Sequence, residues 1–300
     1  MKLLMAGLFC LFALPVVADG ITVNDRRGAQ HFDAAPQRIA VLTWALAEQV
    51  LDLGVAPAAV PETGLYRTWV VSPPLPESVV DIGLRDSPNL ERLSSLGPDV
   101  ILASDIPAKD VARLERIAPV LVFDTFSAEH DNIAASHDIF MSLARLLERE
   151  RMAARKLAEM DDNIDAMAAQ LKDALGGTIR SAAVIRLNDG ATMWAYGENS
   201  FPQEALNRLG LSNALAVTAS RWGVAQRPVD DLAKVEAGAV LAIRPHLAGD
   251  AVFETALWQF LPAVKNGRFA ETRPVWSYGG ILSLERHARA FHDALLELEP

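Results

Sequence analysis

The stretch Arg149–Gly177, RERMAARKLAEMDDNIDAMAAQLKDALGG, decides how the rest of the chain is read. Its apolar residues Leu157, Met160, Ile164, Met167, Leu171 and Leu175 are spaced 3, 4, 3, 4 and 4 apart, which aligns them in one narrow stripe along a single helix. Gly176-Gly177 ends it, and a rise of 1.5 Å per residue makes it roughly 38 Å long. Such a stripe suits a long helix laid on one domain, a coiled-coil seam, or a rigid strut between two lobes. What flanks it favours the strut. Upstream, Arg38–Thr43, Ala56–Val60, Val79–Ile82, Asp99–Ala103 and Val120–Phe123 read as short strands. Helices at Ala45–Leu53, Leu90–Leu96 and Val111–Ala118 alternate with them, and Ile133–Leu147 forms a further helix just before the strut. Downstream the alternation resumes, with strands at Ser181–Arg186, Thr192–Ala195, Ala239–Ile243 and Pro274–Ser277. The helices there are Ser200–Leu209, Asp230–Val235, Phe253–Phe260 and Leu282–Leu298. Strand–helix alternation at these lengths implies an α/β protein with mostly parallel sheets, here in two Rossmann-like lobes joined by one long helix. The boundaries expected are an N-terminal lobe over residues 19–148, a linking helix over 149–176 and a C-terminal lobe over 177–300.

The first eighteen residues stand apart from this pattern. Met1-Lys2 gives a positive start, Leu3–Val17 is apolar, and Val16-Val17-Ala18 is a small-residue cleavage site, the layout of a signal peptide cut near Ala18. The apolar run of about fifteen residues is short of the ~20 that span a bilayer. Cys10, the one cysteine, lies inside it, so the mature chain is expected to have no thiol chemistry. Twenty-eight basic against 38 acidic side chains, a formal charge of −10, argue against a nucleic-acid partner. Sequence motifs for phosphate loops, dinucleotide folds, nucleophile elbows and zinc proteases are missing. The six histidines, His31, His130, His137, His246, His287 and His292, form no spacing that suits a metal site. An exported hydrolase is therefore a remote reading, and no enzyme activity is expected.

Several runs carry a resemblance. PQRIAVLTWALAEQVLDLGVAP (Pro36–Pro57), YRTWVVSPPLPESVVDIGLRDSPNLERL (Tyr66–Leu93), YGENSFPQEALNRLGLSNAL (Tyr196–Leu215) and RPVWSYGGILS (Arg273–Ser283) resemble the periplasmic binding proteins of the iron–siderophore and cobalamin class. The resemblance is greatest to the ferric-hydroxamate (ferrichrome) binders. It extends over the mature chain, is strongest at Tyr66–Leu93 and is loose between Phe123 and Ser181.

The resemblance implies a shallow inter-lobe cleft for a ferric siderophore, delivered to the permease of an ABC importer by a periplasmic monomer. Arg85 is implied to bond the iron-coordinating hydroxamate oxygens, which a forked guanidinium with a permanent charge suits. Trp69, Trp222, Trp276 and Tyr278 match aromatic cleft positions, where flat rings would bury a bulky, partly apolar chelate. Trp276 and Tyr278, two apart, would share one face of a continued strand. Trp44, Trp194 and Trp258 fall in strand or helix patterns and read as core, whereas Trp69 and Trp222 read as lying in loops rich in Arg, Ser, Pro and Gly. Glu91 and Asp230 match lobe-tip acids that dock on importer arginines, although either also suits a helix N-terminus. Iron would arrive already chelated, with no protein ligand to the metal and no cofactor. The chain departs from the hydroxamate binders near Ile106, in ASDIPAKD, where they carry a cleft tyrosine. Binders of a catecholate siderophore, haem or cobalamin stay open: Arg67, Arg221 and Arg227 flank the cleft for an anionic ligand, and Tyr66 or Tyr278 could serve haem.

Overall fold

The computed structural model describes residues 20–247 and 249–298. The proposed leader, with Cys10 and the cleavage site at Ala18, lies outside them. A hairpin of β1 (Ile21–Asp25) and β2 (Gly28–Phe32) opens the described chain. The first lobe is built on β3 (Ile39–Val41), β4 (Ala59–Val60), β5 (Val80–Asp81), β6 (Val100–Ser104) and β7 (Val120–Phe123), all parallel in the order β5-β4-β3-β6-β7. Its helices are α1 (Trp44–Asp52), α2 (Thr63–Trp69), α3 (Leu90–Ser95), α4 (Ala108–Leu114) and α5 (Asn132–Leu146). The inner strands β3 and β6 are buried along their whole length, as parallel strands covered on both faces must be.

The helix α6 (Glu150–Leu175) follows, 26 residues long and roughly 39 Å from end to end. Its buried residues include Met160, Ile164, Met167, Leu171 and Leu175, the stripe read from spacing. Gly176 closes it in the left-handed conformation.

The second lobe holds β8 (Ser181–Leu187), β9 (Thr192–Tyr196), α7 (Phe201–Arg208), β10 (Ser212–Asn213), β11 (Val224–Pro228), β12 (Ala239–Ile243), α8 (Ala256–Gln259), α9 (Pro262–Lys265), β13 (Phe269–Thr272) and α10 (Ser283–Leu296). Its sheet runs β11-β9-β8-β12-β13. The β8-β12-β13 part is parallel, β9 and β11 are antiparallel additions, and β10 pairs with the start of β8. Ser200 caps α7 by accepting from the Gln203 amide at 3.1 Å, as its sequence predicts.

Helix α6 packs on α5 at one end and on α7 and α10 at the other. One apolar cluster runs unbroken from Leu102 of the first sheet through Ile164 to Leu241 and Phe291 of the second lobe. The lobes are further tied where α10 meets α1. Arg286 ion-pairs with Asp52 at 2.5 Å and donates to the buried Glu48 carboxyl at 3.4 Å, and Ser283 donates to Glu48. Gly279 and Gly280 are required there by close approach. A Cβ on Gly280 would lie 2.4 Å from Gln49 Cγ, and one on Gly279 would lie 2.7 Å from a Glu48 carboxylate oxygen. No helix among the described residues is long and apolar enough to cross a membrane.

Candidate functional site

Strands in open α/β sheets bring functional side chains to their carboxyl ends, and both lobes do so here. Trp44 follows β3, Arg85 follows β5, Arg186 and Leu187 end β8, and Trp276–Tyr278 lie beyond β13. These side chains, with Leu65, Trp69, Trp194, Tyr196, Ser277 and Leu247, enclose a cavity of about 300 Å³ between the lobes.

The loop that carries Arg85 is held by Asp81. One carboxylate oxygen accepts from the Thr63 amide and hydroxyl at 2.8 and 2.9 Å; the other accepts from the Gly83 amide at 2.8 Å. Burial works against the charged form, but these bonds and one from the Glu62 backbone together hold the Asp81 carboxyl below its usual range. Gly83 turns the chain at a φ of 88°, which a side chain rarely adopts. Arg85 then donates through Nε to Glu62 at 2.5 Å. Its guanidinium carbon is 3.9 Å from the Trp44 ring centroid and 5.8 Å from that of Trp276. Among the described residues it is bonded through Nε alone, so the fork keeps its terminal N–H groups for another acceptor.

The aromatic wall is continuous. Trp276 packs edge-on to Trp44 at 4.9 Å, Trp69 at 6.3 Å and Tyr278 at 5.3 Å. Trp222 lies next to Tyr278 at 5.4 Å and Phe126 at 5.0 Å, beside the cavity rather than lining it. Burial, and beyond it the neighbouring Tyr196, raise the Tyr278 phenol far above its ordinary value against the pull of Arg186, so it stays a protonated donor.

Of the residues predicted from sequence, Arg85, Trp69, Trp276 and Tyr278 meet in this cavity, and Trp222 adjoins it. Three details differ. Trp276 and Tyr278 do not lie on a strand; β13 ends at Thr272, and the two rings meet across a turn. Trp69 ends helix α2 rather than lying in a loop. Trp44 and Trp194, read as core, line the cavity, whereas Trp258 is core. Trp44 satisfies both descriptions, since it is buried and donates to the Pro61 carbonyl while its face lies against Arg85.

Near Ile106, Asp105 takes a hydroxyl donor from Ser104 at 2.9 Å and ion-pairs with Arg221 of the other lobe at 3.1 Å. The flanking Arg67 and Arg227 pair with Glu77 and Asp231. Tyr66 is fully buried and donates to the Pro73 carbonyl, so it does not reach the cavity. Glu91, in the first turn of α3, and Asp230, in the 3-10 turn Val229–Lys234, are exposed, with no ion pair among the described residues.

Among the described residues, His246, Asp250 and Glu271 could converge on a cation. Arg244 already bridges Asp250 at 3.3 Å and Glu271 at 2.7 Å, and none of the three lines the cleft.

Sequence reasoning passed over Arg186. The signal available was a lone charge in the apolar strand SAAVIRL, where an arginine is costly unless it faces a polar site.

Residues 39–275 match the periplasmic binding protein family. The chain belongs to that family. It is 34% identical to the iron(3+)-hydroxamate-binding protein FhuD of Escherichia coli K12, over 87% of each chain. It is 26% identical to the Fe(3+)-citrate-binding protein YfmC of Bacillus subtilis, over 90% of this chain and 84% of that one. Among solved structures it resembles the siderophore-binding protein FhuD from Vibrio cholerae bound to Fe3+-Desferal, with a TM-score of 0.85 and 40% identity, over 88% of this chain and 99% of that one.

Proposed function

We propose that this periplasmic binding protein captures a ferric hydroxamate siderophore in the inter-lobe cleft and delivers it to the permease of an ABC importer. The observation that carries the reading is the Arg85 guanidinium, laid on Trp44 in the cavity that Trp276 and Tyr278 also line, with no partner for its terminal N–H groups among the described residues. Hydroxamate oxygens share negative charge with Fe³⁺ and accept from such a fork. The surrounding indoles bury the apolar arms of the chelate. The iron is cargo held by its chelator, with no protein ligand.

The same reading makes the protein a monomer without enzymatic activity, exported to the periplasm by the leader over residues 1–18. Glu91 and Asp230 are its docking acids, free to meet importer arginines. Haem is less well supported. No histidine among the described residues lines the cavity, and Tyr66 is turned into the core. A tris-catecholate, with three negative charges, would need several unpaired cations, whereas Arg67, Arg221 and Arg227 are each paired.

Titration of tryptophan fluorescence tests the proposal. A neutral ferric tris-hydroxamate should quench it saturably at one chelate per chain, and far more tightly than the iron-free chelator. Equal response to both, or tighter binding of haem or a ferric tris-catecholate, contradicts it.

A further inference from the structure

Arg186 ends β8 inside the cavity and is only 6% exposed. Its Nη1 donates to the Pro245 carbonyl at 2.6 Å, its Nη2 to the Val275 carbonyl at 3.0 Å and its Nε to the Tyr196 phenol at 3.4 Å. Its guanidinium carbon is 5.1 Å from the Trp69 ring centroid. All of these partners are neutral. No carboxylate among the described residues pairs with it, whereas Arg85 is paired with Glu62 and the flanking arginines with Glu77, Asp105 and Asp231. A buried cation held only by dipoles and a ring face is poorly compensated. The bonds to two carbonyls and a phenol leave further N–H groups on both terminal nitrogens. The cleft therefore holds one positive charge more than it neutralises.

The geometry points to a preferred cargo with one matching negative charge. That cargo is a ferric chelate that joins hydroxamates to a carboxylate or hydroxycarboxylate arm, the carboxylate oxygens meeting Arg186 while Arg85 takes the hydroxamate face. A guanidinium fork matches a carboxylate in shape as well as in charge. This deepens the ferric-chelate reading above and rests on it.

The test compares two chelates and two variants. One chelate is a neutral ferric tris-hydroxamate. The other is the ferric complex of a chelator with two hydroxamates and one hydroxycarboxylate, net negative. Affinities are read by fluorescence quenching for the wild-type chain, Arg186→Met and Arg186→Lys, with thermal unfolding measured alongside. Wild-type protein should bind the anionic chelate at least as tightly as the neutral one. Arg186→Met should lose roughly ten- to hundredfold for the anionic chelate, the range for a charge-assisted hydrogen bond, and less than about threefold for the neutral one. Arg186→Lys should recover much of the loss.

Equal losses on both chelates would make Arg186 a strut for the Pro245 and Val275 loops and overturn the inference, as would no loss on either. If Arg186→Met does not fold, salt decides with wild-type protein. Raising ionic strength from about 0.05 to 0.5 M should weaken the anionic chelate selectively, and equal salt dependence would overturn the inference. Failure of wild-type protein to bind either chelate would instead refute the ferric-chelate reading itself.

Discussion

The guanidinium carbon of Arg85 lies 3.9 Å from the centroid of the Trp44 ring, while Glu62 holds its Nε from the side. The ion pair and the ring face together fix a long side chain that would otherwise lose much rotamer freedom on binding. Arg85→Ala should weaken ferric hydroxamate binding by roughly 1.5–3 kcal/mol, the range for a hydrogen bond to a charged group. Arg85→Lys should restore only part of that, because an ammonium has no fork. Calorimetric titration of both variants is the check; unchanged affinity in Arg85→Ala removes the residue from the site.

The aromatic wall predicts which indoles report binding. Trp44, Trp69, Trp194 and Trp276 border the cavity, whereas Trp258 is buried among Phe253 and Phe269 in the second lobe. Trp276→Phe should cut the amplitude of quenching by a ferric chelate. Trp258→Phe should leave quenching unchanged and lower the unfolding temperature instead. The reverse pattern would place the ligand elsewhere.

Two buried groups predict a stability maximum at mildly acidic pH. Burial pushes the Glu48 carboxyl up from 4.5 to about 8, against the opposing pull of Arg286 and Ser283. The folded chain thus holds that proton more tightly than the unfolded one. Its contribution is complete below pH 4.5 and is lost as pH rises through about 8. Burial also lowers His287 from 6.5 to about 3, so it folds as the neutral ring. That contribution is complete above pH 6.5 and is lost as pH falls towards 3. Differential scanning fluorimetry across pH should show Glu48→Gln flattening the alkaline limb and His287→Gln flattening the acid one. Limbs unaffected by either change would show that other groups set the pH dependence.

The long helix and the shared core predict little relative motion of the lobes. Helix α6 contacts elements of both, and Arg286 and the Asp105–Arg221 pair bridge them. Small-angle scattering should give the same radius of gyration with and without a ferric chelate, to within a few tenths of an ångström. A closure of tens of degrees would contradict the rigid strut.

Much of this was legible in the sequence because it depends on periodicity. The 3-and-4 spacing from Leu157 to Leu175 is a helix stripe wherever it packs, and the buried strands β6 and β12 are short apolar runs bounded by turn residues. The hairpin β1–β2 and strand β11 were missed because they are polar and half exposed, held by pairing rather than by an apolar pattern. Arg85 and Trp276 were reached through resemblance. Spacing alone cannot bring together residues almost two hundred positions apart. Trp44 is core as its pattern indicates; its second role was not legible because a ring can be buried against its own lobe and still present one face to a cleft. Arg186 was missed because its partners, two carbonyls from distant loops and Tyr196, become neighbours only in the fold.

The most direct test of the binding site is the position of the iron. Crystals grown with a ferric hydroxamate and measured at the iron absorption edge should show a single anomalous peak in the cavity bounded by Trp44, Arg85, Trp276 and Tyr278. A peak on another surface, or none in crystals of protein that binds the chelate in solution, would contradict the account.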